Sequence, residues 1–453
     1  MAAAQLAMPS ARACFSARAE SPRLLANGVP RVGSCHGPFS ALPSAPCLAR
    51  QRSGSAVNRL QDSHREGLPS RARPGRASRT VAASAAVGGE PATTVSFAAD
   101  GSSKNVLVGD IGGTNARLQV WAVTSETQSE LLFEKIYPTK DFDTFATVLQ
   151  QVQMDSEDIP ISAACFAVAG PVVDQVCNMT NLGWVIDKGA LEKQFGYQVG
   201  VLNDFEAVGY GVRHVDPENM LVLNDHPEIP KAPIAVLGPG TGLGEAQLMW
   251  DESQGTYRVY PSEGSHADFA PRGWKQRALA QFVESELGYC EVESVGCGSG
   301  LERIYQFLST DEASHQETLL ANEIFMMSLD SMEEAHDPTS LTAPEISQAA
   351  LDGTDHVARE AVDMMLSIIG AEAGHMALRC LARGGVYIAG GITPKVIDRV
   401  HTGGLATAFL SRKGRFHSFL RSVPLYVVMD DKVGLLGSKM YGIQLLKTMM
   451  AQS

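Results

Sequence analysis

NVLVGDIGGTNARLQVWAV (105–123) decides the fold, because two apolar stretches flank a glycine turn. NVLVGD (105–110) predicts a buried strand, and ARLQVWAV (116–123) predicts the strand that pairs with it. Glycine permits positive φ and lets the backbone approach a ligand closely, so N–H groups of this turn can face a phosphate. No Gly-Lys-Ser/Thr follows and GxGxxG is absent, which excludes a P-loop and a dinucleotide-binding fingerprint. The stretch therefore predicts a β-hairpin whose turn is either plain or phosphate-binding.

A second stretch repeats this arrangement. PIAVLG (233–238) and GEAQLMW (244–250) predict two strands around the turn GPGTGLG (238–244), and a third glycine pair follows in AGGI (389–392). The two hairpins predict a duplicated architecture. A single glycine turn is easily explained as a plain turn, but three of them are not. Asp110 would lie beside a phosphate, and a divalent metal would then be required between the two negative charges. Together they indicate nucleotide-driven phosphoryl transfer.

The remaining chain alternates strands and helices. Residues 161–180 predict two strands bent at Gly170-Pro171, since proline disfavours a continuing central strand. A strand at 197–202 precedes a helix, and the chain becomes helical from about residue 273. The long periodic run 356–382, two further strands and a C-terminal helix complete the pattern. This alternation predicts an α/β fold.

The N-terminus has a different composition from the rest. Residues 1–80 contain twelve Arg, no Lys and three acids, whereas the whole chain carries −13, which leaves −22 for 81–453. An Arg- and Ser-rich, acid-poor start predicts an organelle transit peptide, with VAASAAVGG (81–89) as its processing region. The expected destination is the plastid stroma, with the mitochondrion as the alternative and a disordered regulatory tail as the non-targeting alternative.

Charge and hydropathy exclude several partners for the body of the protein. Its acidity argues against binding nucleic acid or an anionic membrane, which requires a basic face. No apolar run approaches the roughly 18 residues that span a bilayer. The five cysteines of the body form no CxxC pair, which argues against zinc and a disulfide framework. A thiol switch between Cys290 and Cys297 is conceivable, although buried packing is favoured.

Two polar segments supply candidate site residues. In VLNDFEAVG (201–209), Asn203-Asp204 stands where a strand gives way to a helix, so Asp204 is a helix cap, a catalytic base or both. PSEGSHADFAP (261–271) offers Glu263, His266 and Asp268 for a metal, for a structural loop or for sugar hydroxyls. We favour sugar hydroxyls, because the spacing matches no common zinc motif. Glu293 is a further acceptor for a hydroxyl.

The motifs together resemble the bacterial-type glucokinase family of the hexokinase/actin-like ATPase superfamily. The resemblance extends from about Asn105 to Leu446 through LVGDIGGTNARL, AVAGPV, NMTNLGW, LNDFEAV, GPGTGLGEA, EGSHADFAP, EVESVGCGSGL, IAGGITP and GLLGS. It implies a ribonuclease-H-like fold with two α/β domains around a sugar and ATP cleft. The small domain would comprise 104–214 plus 431–453, the large domain 215–430, and residues 1–90 would form a transit peptide and linker without a fold of their own. The zinc motif of the sister ROK kinases is missing from the sequence.

The resemblance also implies roles for individual residues. Asp204 would be the catalytic base, and the sugar ligands would be Asn203, Asp204, Glu263, His266 and Glu293. ATP would be bound by Gly109, Asp110, Gly112, Gly113, Thr114, Asn115, Gly240, Thr241, Gly242, Gly244, Gly390 and Gly391. Mg²⁺ would be held by Asp110 indirectly, through water. The sequence departs from the family pattern in three places, at Pro239, at Ser265 and in SVGCGSG. None of these departures removes one of the acids or His266.

The predicted function is an ATP- and Mg²⁺-dependent kinase that phosphorylates the 6-hydroxyl of glucose. The alternatives are a kinase for another hexose or a hexosamine, and a non-catalytic glucose sensor with the same fold. ADP or polyphosphate as the donor is less favoured. The resemblance makes a homodimer the expected assembly.

Overall fold

The computed structural model describes residues 103–310, 341–411 and 414–452. These residues belong to one compact unit, Ala86–Ser453. The predicted transit peptide, residues 1–90, lies outside the described residues.

Strands and helices alternate along the described chain, as the sequence predicts. The strands are β1 Lys104–Ile111, β2 Asn115–Val123, β3 Ser129–Pro138, β4 Ala163–Val168, β5 Val172–Val173, β6 Val176–Met179, β7 Trp184–Asp187, β8 Gln198–Asn203, β9 Met220–Asn224, β10 Ile234–Pro239, β11 Leu243–Asp251, β12 Thr256–Ser262, β13 Val386–Ile388 and β14 Leu425–Val428. The helices are α1 Phe145–Asp155, α2 Lys188–Phe195, α3 Asp204–Gly211, α4 Gly273–Leu287, α5 Glu293–Gly296, α6 Gly298–Thr310, α7 Ala343–Asp352, α8 His356–Cys380, α9 Ile397–Val400, α10 Gly404–Leu410, α11 His417–Arg421 and α12 Val433–Gln452.

The first sheet has the order β3-β2-β1-β4-β8. β1 and β2 form the predicted antiparallel hairpin, while β1, β4 and β8 run parallel. β4 is apolar and buried along its whole length, because a central parallel strand is covered on both faces. The carboxyl ends of the three parallel strands share one edge, and this edge carries Asp110 and Asn203.

The second sheet repeats the first, which confirms the predicted duplication. Its order is β12-β11-β10-β13-β14-β9. β10 to β12 form an antiparallel meander as β1 to β3 do, and β13 and β14 then add in parallel. The strands of the first sheet come from 104–203 and those of the second from 220–428. The division into domains at 104–214, 215–430 and 431–453 stays a prediction.

The segment after β4 differs from the prediction of two bent strands. β4 ends at Val168, and the chain then forms a separate small antiparallel sheet in the order β5-β6-β7. Asp174 and Gln175 both have positive φ, 50° and 63°, and make the turn that folds β5 onto β6. The segment therefore forms more than one strand after β4 because the chain turns tightly at 174–175, in addition to the predicted break at Gly170-Pro171.

Helices α3 and α12 pack against each other, and the sheets pack on them. α12 contacts β1, β4 and β8, and α3 contacts β11 and β12. The two helices approach closely because a Cβ atom on Gly437 would overlap the carbonyl oxygen of Ala207, and one on Gly211 would overlap that of Val433. Positions 211 and 437 therefore require glycine because a side chain would not fit between the helices, and not because of their backbone conformation.

Helix α8 is long and apolar enough to cross a membrane by length and composition, yet 78% of its apolar window is buried inside the fold. It contacts α6, α7, α10 and β10. Its apolar surface therefore belongs to the core that covers one face of the second sheet.

Candidate functional site

A cleft of about 590 Å³ brings together segments that are distant in sequence. One wall comes from the loop after β4 and from the start of α3, and the other comes from the β10–β11 turn, the end of β12 and α5. The lining includes nine of the predicted site residues, namely Asn203, Asp204, Gly240, Thr241, Gly242, Gly244, Glu263, Glu293 and Gly390.

Asn203, rather than Asp204, caps helix α3. Its Oδ1 accepts hydrogen bonds from the backbone N–H groups of Phe205 (2.9 Å) and Glu206 (3.2 Å), and its Nδ2 donates to the Gly170 carbonyl (3.1 Å). The alternative in which Asp204 is the cap is therefore wrong, because the preceding amide already supplies the capping oxygen. Asn203 also ties the start of α3 to the loop after β4.

Asp204 is the first residue of α3 and is exposed to the cleft. One carboxylate oxygen accepts a hydrogen bond from the Phe205 N–H at 2.8 Å. Desolvation by the surrounding protein raises the pKa of Asp204, the Phe205 hydrogen bond opposes this, and the nearby charge of Asp110 raises the pKa further. A carboxylate held at a helix N-terminus, with a raised pKa, is suited to accept a proton from an alcohol.

Asp110 lies near the end of β1, close enough for its charge to raise the pKa of Asp204. Desolvation raises its pKa, and the Arg117 guanidinium lowers it. Within the described ranges, no group of three or more His, Cys, Asp or Glu side chains could hold a metal ion without help from a ligand. The Asp110 and Asp204 carboxylates nonetheless fit Mg²⁺ bound mainly through phosphate oxygens and water, because such sites need only one or two carboxylates.

The β1–β2 turn holds the first glycine motif in place. The Gly112 N–H donates to the Asn115 carbonyl at 2.9 Å. Thr139, which follows β3, stabilises the turn with two hydrogen bonds. Its hydroxyl donates to the Gly113 carbonyl (2.8 Å), and its backbone N–H donates to the Thr114 carbonyl (2.9 Å). Gly113, Thr114 and Asn115 are exposed and free to meet a ligand.

Gly109 has a different environment from the rest of this motif. It lies inside β1, and a Cβ atom there would lie 2.8 Å from Leu118 and 3.0 Å from Phe166. Close packing between strands therefore explains this glycine, and its predicted contact with ATP stays a prediction.

The β10–β11 turn connects the predicted phosphate and sugar sites. The Gly240 N–H donates to the Gly242 carbonyl (2.8 Å), and the Leu243 N–H donates to Glu293 Oε2 (2.7 Å). Gly244 permits the Phe205 ring to pack against the turn, since a Cβ atom would overlap that ring. A predicted sugar ligand and the start of α3 are thus both fixed by the same turn.

Gly390 and Gly391 lie beside this turn. Gly390 has φ of 100°, and a Cβ atom there would come within 2.7 Å of the Pro239 carbonyl oxygen, so the position needs glycine for both reasons. Gly391 is exposed, with no atom within 4 Å of an added Cβ.

Glu263 and His266 lie on one short 3₁₀ turn, Gly264–His266 and the residue before it. His266 Nε2 lies 3.8 Å from Glu263 Oε2, and its Nδ1 forms a 2.8 Å hydrogen bond with Glu291 Oε2. The Glu291 hydrogen bond is the largest influence on His266 and raises the pKa of the imidazole. Asp268 pairs with Glu291 through an isolated β-bridge, which holds the Glu291 backbone next to the segment that follows His266.

Sequence reasoning missed three acids. Glu291 orients His266 through a hydrogen bond, whereas the sequence predicted only the nearby Glu293 as a sugar ligand. Glu206 and Glu245 line the cleft. Burial raises the pKa of Glu206 and of Glu245 to about 7. The available signal was an acid directly after each motif, in LNDFE and in GTGLGE, but a single sequence does not reveal which face of helix α3 or of strand β11 is buried.

Among the described residues, all five cysteines are buried, and none of these five is paired in a disulfide. Burial raises the pKa of Cys290 to about 11, which disfavours the reactive thiolate. This supports packing over a thiol switch.

The duplicated sheets fit the actin-like ATPase fold, and the cleft between an acidic helix start and glycine turns defines a phosphotransferase of that class. Residues 107–445 match the family described as glucokinase. A glucokinase of Synechocystis sp. is 38% identical over 355 residues, which cover 75% of this chain and 98% of that protein. A glucokinase of Nostoc sp. is 34% identical, with 75% and 99% covered.

A solved structure supports the same conclusion. The crystal structure of a glucokinase from an Antarctic psychrotroph is 26% identical and superimposes with a TM-score of 0.63 over 75% of this chain and 98% of that one. The glucokinase of Balamuthia mandrillaris, solved in complex with glucose, is 20% identical with a TM-score of 0.58 over 76% and 94% and shares the fold. The chain belongs to the glucokinase family, which confirms the family resemblance of the sequence.

Proposed function

We propose that this protein is an ATP-dependent glucokinase that transfers the γ-phosphoryl group of ATP to the 6-hydroxyl of glucose. The observation that carries the proposal is the position of Asp204, at the N-terminus of α3 in the cleft that also contains the glycine turn 240–244. Membership of the glucokinase family supports the choice of sugar.

Asp204 accepts the proton of the 6-hydroxyl as that oxygen attacks the γ-phosphorus. The new bond joins the sugar oxygen to phosphorus, and the bond between the γ-phosphorus and the bridging oxygen breaks to release ADP. The proton moves from the sugar oxygen to the Asp204 carboxylate. Its raised pKa makes this carboxylate a stronger base than an ordinary aspartate.

The sugar is held by Asn203, Glu263, His266 and Glu293. Carboxylate and imidazole groups bind vicinal hydroxyls, and a sugar that lacks one of them leaves a polar group unpaired, which gives steep selectivity. The Glu263 and Glu293 side chains both line the cleft, and His266 is joined to Glu263 on the same turn.

The ATP phosphates lie against the two hairpin turns and the Gly390-Gly391 pair. Backbone N–H groups in these turns stabilise phosphate charge at no reorganisation cost. Mg²⁺, when bound, would neutralise charge on the phosphates. Asp110 would hold it through water, and the nearness of its charge to Asp204 supports this assignment.

The test is ADP formation by protein that begins near residue 90, with ATP, Mg²⁺ and a panel of glucose, mannose, galactose, glucosamine and 6-deoxyglucose. We expect turnover with glucose and none with 6-deoxyglucose, which lacks the attacking hydroxyl. Preference for another sugar would assign the enzyme to a different hexose or hexosamine, and no turnover with any sugar would favour the sensor. ADP and polyphosphate replace ATP in a parallel series, in which glucose 6-phosphate is measured because these donors do not yield ADP.

We also propose that residues 1–90 form a transit peptide for the plastid stroma and that the enzyme is a homodimer. Twelve Arg against three acids in 1–80 support import, and the mitochondrion is the alternative destination. A fusion of 1–90 to a fluorescent protein tests the destination, because cytosolic signal would contradict import. Light scattering of protein from residue 90 tests the dimer.

A further inference from the structure

Glu245 is a buried acid that the proposed mechanism does not use. It follows the glycine turn on β11, lines the cleft and is only 3% exposed. Within the part of the chain that the structure describes, its Oε1 atom has no hydrogen-bond partner. A buried carboxyl group with an unsatisfied oxygen costs free energy, so its retention requires an explanation.

The position of Glu245 on β11 directs it towards the turn that carries Glu263 and His266. Successive side chains of a strand point to opposite faces, and the preceding Gly244 faces the Phe205 ring. Glu245 therefore points to the other face, where it pairs in register with Ser262 at the end of β12. Ser262 leads directly into the turn, and its hydroxyl accepts a hydrogen bond from the Gly264 N–H at 3.0 Å.

The Glu245 carboxyl group lies directly against Gly264. A Cβ atom on residue 264 would overlap Glu245 Oε2 and would lie 3.0 Å from the Ser262 hydroxyl. Gly264 does not have positive φ, so the missing side chain is needed for space alone. The carboxyl group and the glycine are therefore complementary in shape, and together they determine how closely the turn approaches β11.

We infer that Glu245 is a positioning residue for the sugar site, which supports the Glu263–His266 turn from beneath and so sets the position of both predicted sugar ligands. The inference rests on the proposed function, because it concerns that same site. Glu245 does not need to touch the sugar for this role.

The charged groups around Glu245 favour its neutral form. Burial, and then the charge of Glu372 on α8, raise the pKa of Glu245 to about 7, while Arg379 lowers it. Glu372, also 3% exposed, already accepts hydrogen bonds from Arg379 (2.7 Å) and forms one with His375 (2.9 Å). The other charged groups near the turn are Glu263 and Glu293, which line the cleft, and His266 with its hydrogen-bond partner Glu291.

This environment gives the support a pH dependence. The pKa of Glu245 is raised on folding, so its stabilising contribution is complete below the ordinary glutamate pKa and is lost as the pH rises through about 7. We expect the Tm of the native protein to fall relative to that of Glu245→Gln, and its KM for glucose to rise relative to that variant, as the pH goes from 6 to 8.5.

The decisive experiment compares Glu245→Gln, Glu245→Ala, Gly264→Ala and the double variant Glu245→Ala/Gly264→Ala at pH 6 and 8.5. Glu245→Gln keeps shape and neutrality, so its KM for glucose at pH 6 should stay within about twofold of the native value. Glu245→Ala and Gly264→Ala should each raise KM for glucose about tenfold or more, because small displacements of a positioning group are costly. KM for ATP should change less than about threefold in each variant.

The double variant separates positioning from general damage to the fold. Removal of the carboxyl group makes room for the methyl group that Gly264→Ala introduces, so the two effects on KM for glucose should be less than multiplicative. Glu252→Ala is the matched control, because Glu252 immediately follows β11 but is largely exposed and pairs with Lys231. It should leave every parameter unchanged.

Three results would overturn the inference: unchanged KM for glucose in Glu245→Ala, multiplicative effects in the double variant, or a rise in KM for ATP alone. Absence of glucose turnover by the native protein would instead contradict the proposed function. In that case, direct glucose binding by calorimetry would still test the positioning role with the same variants.

Discussion

Gly242→Ala tests the connection between the glycine turn and the sugar site. A Cβ atom on residue 242 would lie 2.6 Å from Glu293 Oε2 and 3.2 Å from the carbon that bears it. Gly242 does not have positive φ, so alanine introduces no backbone strain. The substitution therefore acts by displacing the Glu293 carboxylate.

The expected magnitude follows from the hydrogen bond that is lost. The Leu243 N–H donates to Glu293 Oε2 at 2.7 Å, and hydrogen bonds to charged groups contribute about 1.5–3 kcal/mol. Glu293 is half-buried, so the lower end of that range applies. Because about 1.4 kcal/mol corresponds to a factor of ten, we expect KM for glucose to rise about tenfold.

The assay is steady-state ADP formation with glucose and ATP varied in turn. Gly404→Ala is the control, because residue 404 has no atom within 4 Å of an added Cβ and also lacks positive φ. An unchanged KM for glucose in Gly242→Ala would refute the coupling, even if KM for ATP rose.

Further predictions concern stability and the remaining sugar ligands. Gly437→Ala should lower Tm by several degrees in calorimetry, since a Cβ atom there would overlap the Ala207 carbonyl and overpacking costs about 1–3 kcal/mol; an unchanged Tm would contradict the close crossing of α3 and α12. Glu291→Gln should lower the pKa of His266 in an NMR titration, so that the imidazole loses its proton at lower pH, and an unmoved titration would show that the hydrogen bond is not formed. Glu263→Gln should raise KM for glucose strongly, and an unchanged value would remove this residue from the sugar site.

The elements that the sequence predicts well are those with a local cause. The two glycine hairpins, the long helix α8 and the C-terminal helix follow from periodicity and from the glycine positions, and all are present. The small sheet β5-β6-β7 was not predicted, because its turn has positive φ at Asp174 and Gln175. Unlike glycine, these residue types do not indicate positive φ in a sequence.

The site is harder to predict than the fold, because its contacts join distant parts of the chain. The motifs identified most acids that line the cleft, yet the Leu243–Glu293 hydrogen bond and the Glu245–Gly264 contact depend on how strands and helices meet. Asn203 shows that even contacts between neighbouring residues cannot always be predicted from the sequence. Either residue of the Asn203-Asp204 pair can cap a helix, and only the backbone geometry assigns the cap to Asn203 and leaves Asp204 for the cleft.

The most direct test of the account is kcat of Asp204→Asn with glucose, ATP and Mg²⁺, measured together with the Kd for glucose. The amide keeps the shape of the carboxylate but cannot accept a proton as a base does. We predict that kcat falls by a factor on the order of 10² to 10⁴, the usual contribution of a general base, while Kd for glucose changes little. Near-normal turnover by Asp204→Asn would contradict the assignment of Asp204 as the catalytic base.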